Sequence, residues 1–241
     1  MESAAVRAAP RPGRWWVRLA LGLALLALVY GIVDLSTQKP DRNRITVSGL
    51  EESQQVFGGV EQQGDRLGAA GAPVAIQLFT DMQCSNCRSQ FLSTVPSLVQ
   101  GDVRDGKLKL ELRHYSVSES PEELGFFGAE AAARQGYGWQ YTYLFFHNQG
   151  EAKRLSVDED FLQSIASSIP ELQLGDWEHA LTVGLNSDSG MRTRLDSYDQ
   201  IGTDLGIRAR PAAIVSGPNG TRTLQDGPSL GQIQAAIAAV D

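Results

Sequence analysis

Two cysteines occur in the 241 residues, Cys84 and Cys87, and they stand directly after an apolar, β-favouring run. That run, Val74 to Thr80 (VAIQLFT), follows Pro73 and is long enough for one buried strand. Beyond the pair, Phe91, Leu92, Val95, Leu98 and Val99 recur at helical spacing as far as Gly101. The reading of this region is strand, turn, helix, with the first sulfur at the helix N-terminus. Pro96 lies inside that helix, where it removes a backbone donor and predicts a kink.

The flanking sequence extends the pattern. Lys107 to Tyr115 alternates, with Leu108, Leu110, Leu112 and His114 on one face and charged residues on the other, as a half-buried strand does. Ser120-Pro121-Glu122-Glu123 is a helix start, and helical segments follow to about Leu205, with breaks near Gly136–Gly138, Asn148–Gly150, Pro170 and Gly184–Ser187. Pro211 opens the apolar run Ala212 to Val215. Gly217-Pro218-Asn219-Gly220 is a turn, and Thr221 to Leu224 returns as its hairpin partner. A last helix, capped by Ser229, is expected to bury Leu230, Ile233, Ile237 and Val240. The order is β-α-β, an all-helical insertion at about 118–205, then β-β-α, an α/β fold.

The N-terminal third reads differently. Arg7, Arg11, Arg14 and Arg18 precede Leu19 to Val33, which holds no charge, and Trp15 to Val33 as a helix covers roughly 28 Å. Trp15, Trp16 and Tyr30 sit where aromatic rings favour the lipid boundary, and the arginines keep the amino terminus cytoplasmic. The expectation is a cytoplasmic segment 1–14, a transmembrane signal-anchor 15–35, a linker 36–55 and a folded domain 56–241 that lies outside the cytoplasm. A cleaved signal peptide is the rival reading, although Val29 and Gly31 make a poor A-x-A-like site. Val56 to Gly71, rich in glycine, is expected to form a short strand followed by turns.

Lys and Arg number 21 against 28 Asp and Glu, a formal charge of −7, which excludes a nucleic-acid binder of the usual basic kind. Setting the arginine-rich start aside makes the remainder still more acidic, which disfavours tight adhesion to an anionic membrane surface.

At a helix N-terminus, unpaired backbone N–H groups and the helix dipole stabilise an anion, and thiolate is the reactive form of cysteine. Cys84 is therefore the expected nucleophile, with Cys87 one turn on as the resolving thiol. Bland readings compete with this. A structural disulfide around so short a loop removes little unfolded-chain entropy. Zinc needs about four ligands, and only His114, His147 and His179 are left to join the cysteines, none in His-x-x-x-His spacing. Chance pairing of two thiols is the third.

A C-x-x-C in a β-α-β frame, with a proline opening the next strand, is more specific than the tetrapeptide alone. Gly71-Ala72-Pro73-Val74, then Phe79-Thr80-Asp81-Met82-Gln83-Cys84-Ser85-Asn86-Cys87, resembles the DsbA-like thioredoxin-fold thiol:disulfide oxidoreductases, in their membrane-tethered bacterial branch. Arg113-His114-Tyr115, Gln135-Gly136, Trp139, Leu144-Phe145, Asn148-Gln149-Gly150 and Gly206-Ile207-Arg208-Ala209-Arg210-Pro211 extend the likeness over about residues 56–241. The resemblance implies a thioredoxin fold with an all-helical insertion, Cys84 as attacking sulfur, Cys87 as resolving sulfur and Pro211 as the cis-proline facing them. It implies no cofactor beyond the Cys84–Cys87 disulfide. The implied partners are reduced exported proteins as substrates and a quinone-linked membrane reoxidase of the DsbB or vitamin K epoxide reductase type.

Two departures bear on redox poise: Ser85 stands where the family usually has proline, and Arg210 where it usually has threonine or valine before the cis-proline. Arg210 is expected either to hold Cys84 as thiolate or to be a solvated side chain. Asp81 is either a proton relay or the acceptor of local backbone donors. His114 reads as a packed histidine. Trp139, Tyr143, Phe145 and Phe146 read as the insertion's core, with an apolar substrate patch beside Cys84 as the alternative for some of them. The functional expectation is an extracytoplasmic enzyme that introduces disulfides into exported proteins. A reductase or isomerase of the same fold, or a non-enzymatic binding module, is the alternative.

Overall fold

The structure, a computed structural model, describes residues 21–25, 44–115, 123–150, 157–186 and 190–241. Residues 21–25 are helical and exposed, and the rest of the expected anchor 15–35 lies outside the described residues. Among the described residues no helix is long and apolar enough to cross a membrane.

The folded domain begins earlier than expected. Residues 50–57 form helix α1 (Leu50–Phe57), which buries Ser53, Val56 and Phe57, and the compact unit extends from Asn43 to Asp241. The expected linker 36–55 is thus corrected at its C-terminal end: Ile45, Val47 and Leu50 pack on the helical layer, and the Ser48 N–H donates to Asn148 Oδ1 at 3.0 Å. Three apolar residues spaced among polar ones looked like a tether because their partners lie a hundred residues away. The expected short strand at Val56 is likewise replaced by the end of α1.

Next come β1 (Gln62–Gln63) and β2 (Arg66–Leu67), a small hairpin, then β3 (Val74–Thr80) and helix α2 (Ser85–Leu98). The helix runs through Pro96. Its departure from α geometry falls beyond it, in a π-helical turn at Val99–Val103 where Gly101 leaves the helical region. β4 (Leu108–His114) alternates buried and half-buried residues as its sequence does. Among the described residues the insertion contributes α3 (Leu124–Ala133), α4 (Gly138–His147), α5 (Glu159–Ser168), α6 (Leu174–Leu185) and α7 (Gly190–Asp204). The helix start at Ser120-Pro121 lies outside them. β5 (Ala212–Gly217), β6 (Gly220–Leu224) and α8 (Leu230–Val240) close the chain. A full capping box at Ser229 and Gln232 starts α8, whose buried residues are Ile233, Ala236 and Val240, with Leu230 and Ile237 only partly covered.

The six strands found among the described residues form one sheet in the order β1-β2-β4-β3-β5-β6. β3 and β4 are parallel, joined through α2, while β5 is antiparallel to β3 with Phe79 opposite Ala212. β3 is central, with Val74, Ile76 and Leu78 buried on one face and Ala75 and Gln77 only partly covered on the other, which is why its sequence is mostly apolar. One core packs α2, α8 and α1 against the sheet around Ile76, Leu78, Phe91, Leu110 and Val215. A second lies within the helices around Phe145, Phe161, Ile165 and Trp177.

The four aromatic residues read as the insertion's core divide between the two. Phe145 belongs to the helical core, but Trp139, Tyr143 and Phe146 belong to the sheet core, where Trp139 stacks on Phe91 with ring centroids 5.9 Å apart. All four are buried, so they form no exposed patch beside Cys84. Trp139 and Phe146, both against Phe91, fasten the insertion to the helix that carries the cysteines.

Candidate active site

The end of β3 and the start of α2 are separated by Asp81-Met82-Gln83, and this turn sets where Cys84 stands. Cys84 is the N-cap of α2, with extended backbone (φ −82°, ψ 119°). Its N–H donates to the Asp81 carbonyl at 3.1 Å, and its own carbonyl accepts the Arg88 N–H at 3.0 Å, the first bond of the helix. Its Sγ accepts the Cys87 N–H at 3.1 Å. An N-cap is normally an oxygen-bearing side chain; a sulfur in that place is held in the region where helix N–H groups converge, and they stabilise it most when it is anionic.

Cys84 and Cys87 are joined by a disulfide with Cα atoms 5.1 Å apart. Their surroundings are unequal. Cys84 is half-buried and Ser85 and Asn86 are exposed, whereas Cys87 is 0% exposed and packs in the sheet core with Phe91 and Trp139. An attacking thiolate from outside therefore reaches Cys84, and Cys87 is shielded from anything but its partner. Among the described residues no cluster of His, Cys, Asp or Glu is arranged to hold a metal ion.

Pro211 precedes β5, whose register sets it beside the C-terminal end of β3, and the Arg210–Pro211 peptide bond is cis. The Pro211 carbonyl accepts the Gly227 N–H at 2.9 Å, tying it to the loop before α8. Pro211 and Arg210 share a groove of about 480 Å³ with Asn86, the residue immediately before Cys87.

Arg210 is neither solvated nor free to serve the sulfur alone: its Nη2 lies 2.8 Å from Asp81 Oδ2, and both side chains are largely buried. Asp81 Oδ1 also accepts the Gln83 N–H at 2.7 Å. Of the two readings of Asp81, the hydrogen bonds match an acceptor of local donors, with an ion pair to the cis-proline loop added. That pair joins sequence positions far apart, so the sequence did not display it.

Gln149 makes a contact that residue patterns do not announce. Its buried side-chain amide donates to the carbonyls of Met82 at 2.7 Å and Cys84 at 3.4 Å. Arg88, on the first turn of α2, donates from Nε to the Phe146 carbonyl at 2.7 Å. The insertion thus grips the cysteine turn and the first turn of α2 through three hydrogen bonds as well as through aromatic residues. A glutamine just past a helix end carries no sequence signal for this, because its acceptors are backbone atoms.

His114 ends β4 beside Thr80 and is buried against Phe126, with ring centroids 5.2 Å apart. Burial pushes its pKa down to about 3, so it is neutral, and its Nδ1 meets no hydrogen-bond partner. It is the packed histidine expected. Away from the cysteines, Glu130 of α3 faces Arg194 of α7 at 3.3 Å, and burial pushes its carboxyl up to about 7 against the opposing effect of Arg194.

The sequence pattern of the family described as Thioredoxin matches residues 61–220, which spans β1 through the first residue of β6. The chain belongs to the thioredoxin family. Within this family it is similar to the "Probable disulfide bond formation protein D" of Bacillus cereus, at 22% identity over 198 residues, 81% of this chain and 88% of that protein. Among solved structures, oxidised BdbD from Bacillus subtilis superposes with a TM-score of 0.61 at 16% identity, covering 74% of this chain and 96% of that one. Chlamydia trachomatis DsbA gives 0.60 at 16% identity, covering 72% and 89%. Wolbachia pipientis alpha-DsbA1 gives 0.58 at 14%, covering 78% and 94%. The fold of this thioredoxin-family chain is that of these DsbA-type structures, as the resemblance implied.

Proposed function

We propose that this thioredoxin-family protein is an oxidant of exported proteins, working outside the cytoplasm on the end of an N-terminal membrane anchor, through Cys84 and Cys87. The observation that carries the reading is the inequality of the two sulfurs. Cys84 caps a helix and is reachable, and Cys87 is sealed in the core.

A substrate thiolate attacks Cys84 Sγ, the Cys84–Cys87 bond breaks, and Cys87 leaves as a thiolate. The substrate's second thiolate then attacks its own sulfur in the mixed disulfide and Cys84 leaves, stabilised at the helix N-terminus. The substrate loses two electrons to the pair, and its two thiol protons pass to the leaving sulfurs or to solvent. Pro211 and Arg210 border the substrate segment in this reading, and Asp81 fixes the turn. The reduced pair returns its electrons to a quinone-linked membrane protein of the DsbB or vitamin K epoxide reductase type, which tethering keeps near. The domain's acidic balance keeps it off the membrane surface while it does so.

The test is the reduction potential of the pair against glutathione in the full chain. A value towards about −120 mV marks an oxidant, and one near about −270 mV would reassign the protein as a reductase. Alongside it, Cys87→Ala should accumulate mixed disulfides through Cys84. A Cys84→Ala protein that keeps its cellular role would instead mark a binding module.

A further inference from the structure

The groove beside Pro211 is lined mainly by polar side chains, and although Arg210 Nη1 stays an unpartnered donor, the hydrogen bonding of the others leaves several acceptors open. Ser89 Oγ donates to the Ser85 carbonyl and Ser93 Oγ to the Gln90 carbonyl, each at 3.1 Å, so both hydroxyl protons are engaged and the oxygens remain to accept. Gln90 donates its amide to the Pro228 carbonyl at 2.9 Å, which leaves its Oε1 in the same condition.

Charge points the same way. The groove holds one cation, Arg210, whose charge is cancelled by Asp81 at 2.8 Å, and one anion, Asp226, which is exposed and meets no cation among the described residues. The sign of the groove is therefore negative and set by Asp226, at the end nearest the loop that hydrogen-bonds Pro211. A greasy peptide segment laid here would strand these acceptors without donors, whereas an ammonium or guanidinium would satisfy several at once.

We propose that this groove takes the substrate segment flanking the reacting cysteine and selects lysine or arginine side chains there, with Asp226 as the specificity-determining residue. The proposal rests on the function proposed above and names its substrate class: unfolded or extended segments whose cysteine has a cationic neighbour. Its occupant follows from continuity with the redox pair, because the groove is lined by Asn86, the residue immediately before Cys87, and by Ser89, Gln90 and Ser93 along the same helix that Cys84 caps. Uncharged hydroxyl and amide side chains fit next best, and acidic ones worst.

The experiment uses the full chain, oxidised, and a set of peptides each bearing two cysteines and differing only at the residues flanking the first, which are Lys, Ser, Leu or Glu. The rate constant for peptide oxidation is measured for each, with dithiothreitol as a dithiol too small to fill the groove. The expected order is Lys, Ser, Leu, Glu, with Lys about fivefold faster than Glu at low salt and the ratio shrinking at high salt. In Asp226→Asn, which keeps a residue tolerated at the positive φ of 59°, the Lys-to-Glu ratio should fall towards one. A ratio unchanged in that variant, or a best rate with Leu, overturns the proposal while the redox function stands. Failure of the parent chain to oxidise dithiothreitol overturns the redox function itself.

Discussion

Gln149, contributed by the chain just beyond α4, donates its side-chain amide to the carbonyl of Met82, 2.7 Å away in the turn that presents Cys84. Met82 is itself packed in the helical core, so the turn between β3 and α2 is held by the insertion on one side and, through Asp81 and Arg210, by the cis-proline loop on the other.

Removing the amide takes the side-chain donor from the buried Met82 carbonyl, while the Cys84 carbonyl keeps the Arg88 N–H. Gln149→Leu should therefore lower the stability of the oxidised protein by about 1–3 kcal/mol. Gln149→Glu should cost at least as much at neutral pH, since a carboxylate donates nothing. Urea unfolding with an unchanged m-value checks both.

The Asp81–Arg210 pair predicts a non-additive cycle. Arg210→Thr leaves the Asp81 carboxylate uncompensated three residues before Cys84 and should raise the Cys84 thiol pKa, with about tenfold less thiolate at a given pH below it. The double variant Arg210→Thr/Asp81→Asn should return near the parent value. Thiolate absorbance of the reduced protein across pH reads this directly, and an unchanged titration in the single variant would separate Arg210 from the sulfur.

Glu130 ties stability to pH in one direction. Burial raises its carboxyl from 4.5 to about 7 in the folded state, so the folded chain holds this proton more tightly than the unfolded chain does. Its contribution is complete below the unfolded value and is lost as pH rises towards 7. Glu130→Gln should flatten that limb and raise stability at pH 8 by about 1–3 kcal/mol, because the lost partner Arg194 is half-exposed. Unfolding midpoints at pH 5 and pH 8 provide the comparison.

His114 acts on the opposite limb. It resists protonation until about pH 3 in the fold but protonates near 6.5 when unfolded, so stability falls as pH drops through that interval. His114→Leu should remove up to about 4 kcal/mol of that acid sensitivity while sacrificing little, since Nδ1 has no partner to lose. The two intervals overlap between about 4.5 and 6.5, where the effects of His114 and Glu130 oppose each other, so stability of the parent chain should be nearly flat there and fall at lower pH, and a pH series of thermal midpoints would display it.

Legibility in the sequence followed locality. Val74–Thr80, the alternation of Leu108–His114, the Gly217–Gly220 turn and the Ser229 cap each depend on neighbours within a few residues, and each appears in the structure where its pattern puts it. The same is true of Cys84 at the N-terminus of α2. The packing of residues 44–57 is not legible in the sequence, because partners such as Asn148 and the helical core are remote along the chain and leave no periodic trace in so short a stretch.

By itself, the sequence determined the order β3-α2-β4 and β5-β6-α8 and the place of the sulfur pair, because backbone hydrogen bonding and side-chain alternation are short-range. Only the tertiary structure decided that Cys87 is sealed while Cys84 is reachable, that Arg210 spends its charge on Asp81, and that Gln149 reaches the cysteine turn. Burial and ion pairing depend on which distant segments the fold brings within a few ångströms, and no local pattern of residues encodes that distance.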